Sequence, residues 1–191
     1  MNVFASLPMD AAAFLTWAEG REGHYELAKG RVIMMTGGSR AHGFITRRLA
    51  NALEDRLDAT RWAEWTSDFA VNISAGTVRY PDVVVDAVGG TWRDLKATAP
   101  AIIAEVLSPS SVTSDLGDKA AEYLALDTVF AYLVLSQDEP KAWVWTRAGD
   151  SFPTGPAVVE GMDNVVRVPA LAIEIPLSEI YSELLQSEDD A

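Results

Sequence analysis

A chain of 191 residues with 49% hydrophobic content is sized for one domain, read as spanning 1–191, and is too apolar for general disorder. The absence of cysteine excludes disulfides, thiolate zinc sites and cysteine nucleophiles, and two histidines, His24 and His42, are too few for a multi-histidine zinc or iron centre. The net charge of -13, from 28 acidic and 15 basic residues, argues against a broad electrostatic grip on nucleic acid, although Arg40, Arg47 and Arg48 cluster and part of the acid excess lies in a short tail, 186–191.

Residues 1–8 lack a basic region followed by a long apolar stretch, and no apolar run has membrane-spanning length, so a soluble, cytoplasmic protein is expected. Asp10 is positioned to cap a helix over 11–19 that Gly20 and Gly23 end. A hairpin follows, 25–27 and 31–35 around Ala28-Lys29-Gly30, and then the loop Thr36-Gly37-Gly38-Ser39, which lacks the Gly-Lys-Ser/Thr ending of a phosphate-binding loop. Ser39 is the expected cap of an amphipathic helix running to about residue 57, with Phe44, Ile45, Leu49, Ala52, Leu53 and Leu57 on its apolar face. Strand signals lie at 61–65, 69–73, 79–86 and 101–107, with Gly89-Gly90 turning the connection between the last two. Ser108-Pro109-Ser110-Ser111 takes the chain out of the sheet into a helix over 115–125, capped by Ser114. Strands over 129–135 and 142–146, shorter ones near Val158, Val166 and Ile173, and a helix over 177–185 complete the order. This order predicts an α/β fold, a mixed sheet flanked by helices with additional antiparallel strands.

Asp82 and Glu105 interrupt two apolar runs with the length and β-branched content of interior strands. A carboxylate placed there loses hydration and needs a partner. For either residue alone an arginine or backbone donors would serve; the pair, on runs close enough to be neighbouring strands, points to a shared cation. Asp115, Lys119 and Tyr123 lie at i, i+4 and i+8 on the next helix, which a short connection could fold over the sheet beside Glu105. By spacing alone, Asp115 and Lys119 read equally as an exposed helical ion pair, worth about 0.3–0.5 kcal/mol. Glu26, alternating with Tyr25 and Leu27, reads by itself as solvent-facing, and His42 at a helix start reads as a surface histidine before a base or phosphate contact.

Tyr25-Glu26-Leu27 with Gly30, then Pro81-Asp82-Val83-Val84-Val85, Glu105-Val106-Leu107-Ser108-Pro109-Ser110 and Asp115-x3-Lys119-x3-Tyr123, taken in order, resemble the Uma-type endonucleases of the PD-(D/E)XK, or restriction-endonuclease-like, superfamily. The resemblance runs from about Phe14 to Leu184. It implies a restriction-endonuclease-like core, Asp82, Glu105 and the Val106 carbonyl as ligands of Mg2+ or Mn2+, Lys119 as catalytic lysine and Glu26 as accessory acid. The superfamily's usual lysine would fall two residues after the glutamate, where this chain has Leu107; in the Uma-type branch the next helix supplies it. The expectation is a Mg2+-dependent endonuclease acting on DNA, with no membrane association and a homodimer left open.

Three rival readings stand beside it. An inactive nuclease-like binding or assembly module suits the acidic charge. A glycosidase using paired carboxylates would give Lys119 no task. A serine hydrolase built on Ser108 or Ser110 lacks a nucleophile-elbow motif.

Overall fold

The computed structural model describes residues 8–35, 37–108 and 111–189. The expectations for residues 1–7, for Thr36 in the glycine loop, for Pro109-Ser110 at the exit from the sheet and for Asp190 in the acidic tail lie outside the described residues. No helix among the described residues is long and apolar enough to cross a membrane.

Helix α1 (Ala11–Ala18) starts where expected, the Asp10 carboxylate accepting the Ala13 N–H at 2.8 Å. Strands β1 (Tyr25–Ala28) and β2 (Arg31–Met34) form the hairpin, with Lys29 and Gly30 at φ 50° and 78°. Two successive positive φ angles are what a two-residue turn needs to match the strand twist, and glycine adopts one without strain. Helix α2 (Arg40–Glu54) is capped by Ser39, whose Oγ accepts the His42 N–H at 3.0 Å, and its buried stripe includes Ile45, Leu49, Ala52 and Leu53.

The predicted strand over 79–86 is two strands. After β3 (Trp62–Thr66) and β4 (Val71–Ser74), strand β5 (Thr77–Arg79) joins β1 and β4 in a four-stranded antiparallel sheet of order β2-β1-β5-β4, while β6 (Val83–Ala87) joins the main sheet. Tyr80-Pro81-Asp82 is the crossing between them. Pro81 has no N–H to give to a ladder, so the break falls there and Asp82 stands just ahead of β6, not inside it.

The main sheet has the order β10-β9-β8-β7-β6-β3, completed by β7 (Pro100–Val106), β8 (Ala131–Leu135), β9 (Lys141–Thr146) and β10 (Ala157–Glu160). Only β7 and β8 run parallel, with Glu105 opposite Val134; the other neighbours are antiparallel. A parallel pair needs a crossover, and helix α3 (Lys119–Leu124) lies within it. A hairpin of β11 (Val165–Val168) and β12 (Ile173–Pro176), then helix α4 (Leu177–Asp189), close the chain.

Strand alternation divides the core in two. Val83, Val85, Ile102, Ala104 and Val106 pack with Ile45, Leu49 and Leu53 of α2 and Ile180 and Tyr181 of α4. Val84, Ile103 and Leu107 pack on the opposite side with Ala120 and Tyr123 of α3 and Tyr132, Val134 and Trp145 of the sheet. Glu105 has the parity of Ile103, so its carboxylate enters the α3 side.

The helix after Glu105 differs from its sequence reading. Residues 112–113 are already helical, so Ser114 lies inside the segment and does not cap it. Ser114–Asp118 form a π turn, and the Lys119 N–H donates to the Ser114 carbonyl five residues back. Such insertions of one residue into a helix change which side chains face the core.

Candidate active site

The residues singled out in sequence meet where β1, β5, the start of β6, the end of β7 and α3 come together. β6 pairs with β7 antiparallel, Val83 opposite Ala104, which brings Asp82 beside the Glu105–Val106 end of β7. The Val106 N–H donates to Asp82 Oδ2 at 2.7 Å. Asp82 therefore terminates the β6–β7 ladder with its side chain, holding the carboxylate at a fixed height on the sheet.

Lys119 is 6% exposed, so it is no surface residue of a solvated pair. Its ammonium donates to Glu105 Oε1 at 2.9 Å and lies 3.3 Å from Asp115 Oδ1 and 3.6 Å from Glu26 Oε1. The Tyr123 hydroxyl donates to the same Glu105 oxygen at 3.0 Å. Glu26, which alternation alone assigned to solvent, is buried: Arg79 Nη1 donates to its Oε2 at 2.8 Å, and Arg79 also holds Glu122 through two hydrogen bonds of 2.8 and 3.1 Å. A continuous chain of charge thus runs Glu105, Lys119, Glu26, Arg79, Glu122, tying the small sheet to α3.

Burial sets the proton affinities. Desolvation pushes the Glu105 carboxyl up to about 8; Lys119 pulls it back while Asp82, Asp115 and Glu26 add to the rise. Burial likewise raises Asp115, again against Lys119. For Lys119 burial opposes the charge, but Glu105, Glu26 and Asp115 outweigh it and keep the ammonium protonated. Burial drives the Tyr123 phenol well above its ordinary value, so it stays a donor to Glu105.

His42, like Glu26, was misplaced by sequence. Its Nε2 lies 3.1 Å from Asp82 Oδ2, with 18% of the side chain exposed. The hydrogen bond to Asp82 raises its pKa against burial. The Asp82 and Asp115 charges and the Val106 backbone act in the same direction. Helical spacing could place His42 on α2 but could not reveal that the first turn of α2 abuts the β6–β7 end. Arg79 and Glu122 were also missed; Arg79 adjoins the Tyr80-Pro81-Asp82 segment, and a cation inside a strand of buried residues was the available signal.

Residues 11–178 match the Uma2 family, described as "Putative restriction endonuclease". The chain belongs to the Uma2 family. It is 33% identical over 129 residues to an uncharacterized Synechocystis sp. protein, slr1290, covering 64% of this chain and 66%, just under two thirds, of that one. It is 27% identical over 154 residues to a second from the same organism, sll1609, covering 78% and 87%. Its fold is that of a crystal structure described as a "putative nuclease belonging to DUF820" from Anabaena variabilis, with a TM-score of 0.72, 17% identity, and 93% of this chain and 99% of that chain covered.

For this Uma2 chain the resemblance implied a divalent cation. Asp82, Glu105 and the Val106 carbonyl are hard oxygen donors, the type that Mg2+ and Mn2+ take. Asp115 Oδ1 is buried and, beside the Lys119 ammonium at 3.3 Å, has no partner in full hydrogen-bond geometry among the described residues. Burial first, and then the nearby acids Asp82, Asp115 and Glu26, lift the Glu105 carboxyl to about 8, a rise that added positive charge relieves. No three His, Asp or Glu side chains among the described residues stand grouped as a ready ligand set. Mg2+ commonly takes one or two carboxylates and completes its shell with water, so the donor chemistry fits.

Proposed function

We propose that this chain is a metal-dependent endonuclease that hydrolyses phosphodiester bonds of DNA in the cytoplasm, with Asp82, Glu105 and the Val106 carbonyl holding Mg2+ or Mn2+. The observation that carries it is the meeting of Glu105 and Lys119 at 2.9 Å beside the end of β7, where Asp82 accepts the Val106 N–H. Membership of a family described as "Putative restriction endonuclease" supports the same reading. When bound, such an ion acidifies a water and neutralises charge on the phosphoryl group.

The protein's own part is positioning. Lys119 offers a permanently charged donor to an attacking water or to the phosphoryl oxygens as negative charge grows there. Tyr123 and Lys119 hold Glu105 in one rotamer, while Glu26 supports the ammonium and is itself fixed by Arg79. Phosphoryl transfer asks little more than such placement.

A second reading, an inactive nuclease-like binding module, is favoured by the net charge of -13. Plasmid nicking decides between them. Wild type is expected to nick supercoiled DNA with Mg2+ or Mn2+ and to slow steeply as salt is added, since few basic residues can hold the backbone. Absence of cleavage of any DNA or RNA with either ion makes the binding module the correct reading.

A further inference from the structure

We propose that Trp92, backed by Trp65 and Phe69, is a stacking platform for an unpaired base of the nucleic-acid strand, so that the substrate class is single-stranded or locally opened DNA. The inference rests on the nuclease reading above and names the state of its substrate. Trp92 is 94% exposed, the extreme among the large apolar side chains described. A tryptophan left almost wholly in water forgoes the burial its rings ordinarily gain, and a stacked base supplies it. The ring is not isolated. It meets Trp65 edge to face, 6.2 Å between centroids at 69°, and Trp65 lies 4.8 Å from Phe69 at 33°. Trp65 and Phe69 are half-buried against the α3-side core, the side that the Glu105 carboxylate enters.

This ledge adjoins the candidate site. Trp65 on β3 stands opposite Val84 of β6, and the Ser67 N–H carries the pairing further by donating to the Asp82 carbonyl at 3.1 Å. Trp65 and Asp82 are therefore diagonal neighbours across the two strands, about 7–8 Å apart. The platform is also held in place. Trp92 and Arg93 are the central residues of a turn in which the Thr91 N–H and hydroxyl donate to the Asp94 carboxylate at 2.7 and 2.9 Å. Beyond the turn, the Ala70 N–H donates to the Leu95 carbonyl at 3.1 Å and the Ala97 N–H to the Ala70 carbonyl at 2.8 Å, which fastens the segment beside Phe69. Arg93 and Lys96 are exposed and form no ion pair among the described residues, while the Asp94 carboxylate is occupied by Thr91. In a chain of net charge -13, two such cations beside exposed rings complement phosphate and base together. A face made for a second copy of the chain would place these cations in an interface, whose core disfavours charge.

Fluorescence anisotropy of a labelled oligothymidylate and of a duplex of the same length, in EDTA, tests this without turnover. Wild type is expected to bind the oligothymidylate more tightly. Trp92→Ala is expected to weaken that binding about 5–150-fold and duplex binding by less than about 3-fold, since paired bases offer no free face. Its melting temperature should be unchanged, because the ring is 94% exposed. Trp92→Phe keeps an aromatic face and should retain most of the affinity. Arg93→Ala with Lys96→Ala should flatten the salt dependence by about 0.7 per lost phosphate contact. Equal oligothymidylate binding by wild type and Trp92→Ala, or equal loss on both probes, overturns the proposal and leaves the Asp82 and Glu105 site standing. So does a wild-type dimer that Trp92→Ala dissociates in sedimentation, which makes the patch an interface between copies. Trp92-dependent oligothymidylate binding in a protein that cleaves nothing overturns the nuclease reading and keeps the platform. Wild type that binds neither probe, in EDTA or with Mn2+, overturns both.

Discussion

Lys119 and Glu105 form a buried ion pair of 2.9 Å across fourteen residues of chain, from the helix to the strand before it. The position two residues after Glu105 belongs to Leu107, which packs on the α3 side with Ile103 and Ala120. A lysine there would spend its length on the same apolar space. Supplying it from α3 places the ammonium among the buried carboxylates of Glu105, Asp115 and Glu26.

Replacing Lys119 by alanine is expected to abolish nicking and leave Mn2+ binding in place. It also leaves three buried carboxylates without their common cation, a loss of about 3–5 kcal/mol in the metal-free protein. Mn2+ should then recover more stability in the variant than in wild type. Urea unfolding with and without Mn2+ reads the stability, calorimetry the binding and plasmid nicking the chemistry. Nicking at the wild-type rate would leave Lys119 a purely structural partner of Glu105.

Asp82→Ala is expected to remove the Mn2+-induced rise in melting temperature. The loss of an acid from a crowded site relieves repulsion, but here it also strips the Val106 N–H of its acceptor, worth about 1–3 kcal/mol if left unsatisfied. Asp82→Asn keeps an oxygen acceptor and should be the more stable of the two without metal. Equal metal-induced shifts in wild type and both variants would contradict Asp82 as a ligand.

Metal-free stability should fall as pH rises from about 5 to 8. Glu105 titrates at about 8 in the fold against an ordinary 4.5, so the folded state holds this proton more tightly and its contribution is complete below 4.5 and lost on passing 8. Asp115 and His42, both raised, act in the same direction. Ion binding must displace these protons, so Mn2+ affinity should climb over the same window. Calorimetry at pH 7 in buffers of different ionisation heat should register proton release; a metal-free melting temperature that rises from pH 5 to 8 would contradict the assignment.

Arg79 is expected to matter to stability before it matters to binding. Arg79→Ala leaves the buried Glu26 and the half-buried Glu122 without their shared guanidinium, a cost of up to about 3 kcal/mol. Adding Glu26→Gln removes one stranded charge and should return part of the loss, more than the sum of independent effects. Strict additivity in urea unfolding would show that the two residues do not act as a unit.

The sheet, its helical crossover and the approach of that helix to Glu105 were legible because each sat in a local pattern. Apolar runs bounded by glycine and proline gave β7 and β8, and spacing of Asp115, Lys119 and Tyr123 gave one side of a helix. What escaped depended on distant chain. Glu26 lies inward because Arg79, on the neighbouring strand, meets it; alternation within β1 carries no trace of that. His42 needed the docking of α2 against the end of β6, and the π turn over Ser114–Asp118 has no counterpart in the helical spacing of its residues. The split of 79–86 was readable at Pro81, which was weighed as part of a motif instead of as a missing donor.

The extra residue in Ser114–Asp118 makes the lysine's aim a matter of chain length. Deleting Gly117 would let the segment close into a regular α-helix with better-aligned hydrogen bonds and without a flexible residue in its interior. Everything before the deletion would then turn by about 100° relative to everything after it. With Tyr123 and Ala120 seated in the core, Asp115 would be carried off the ammonium. A shortened chain of this kind would keep every acid of the site and take one of the lysine's three carboxylate neighbours away from it, so the length of this one turn sets how much negative charge faces the ammonium.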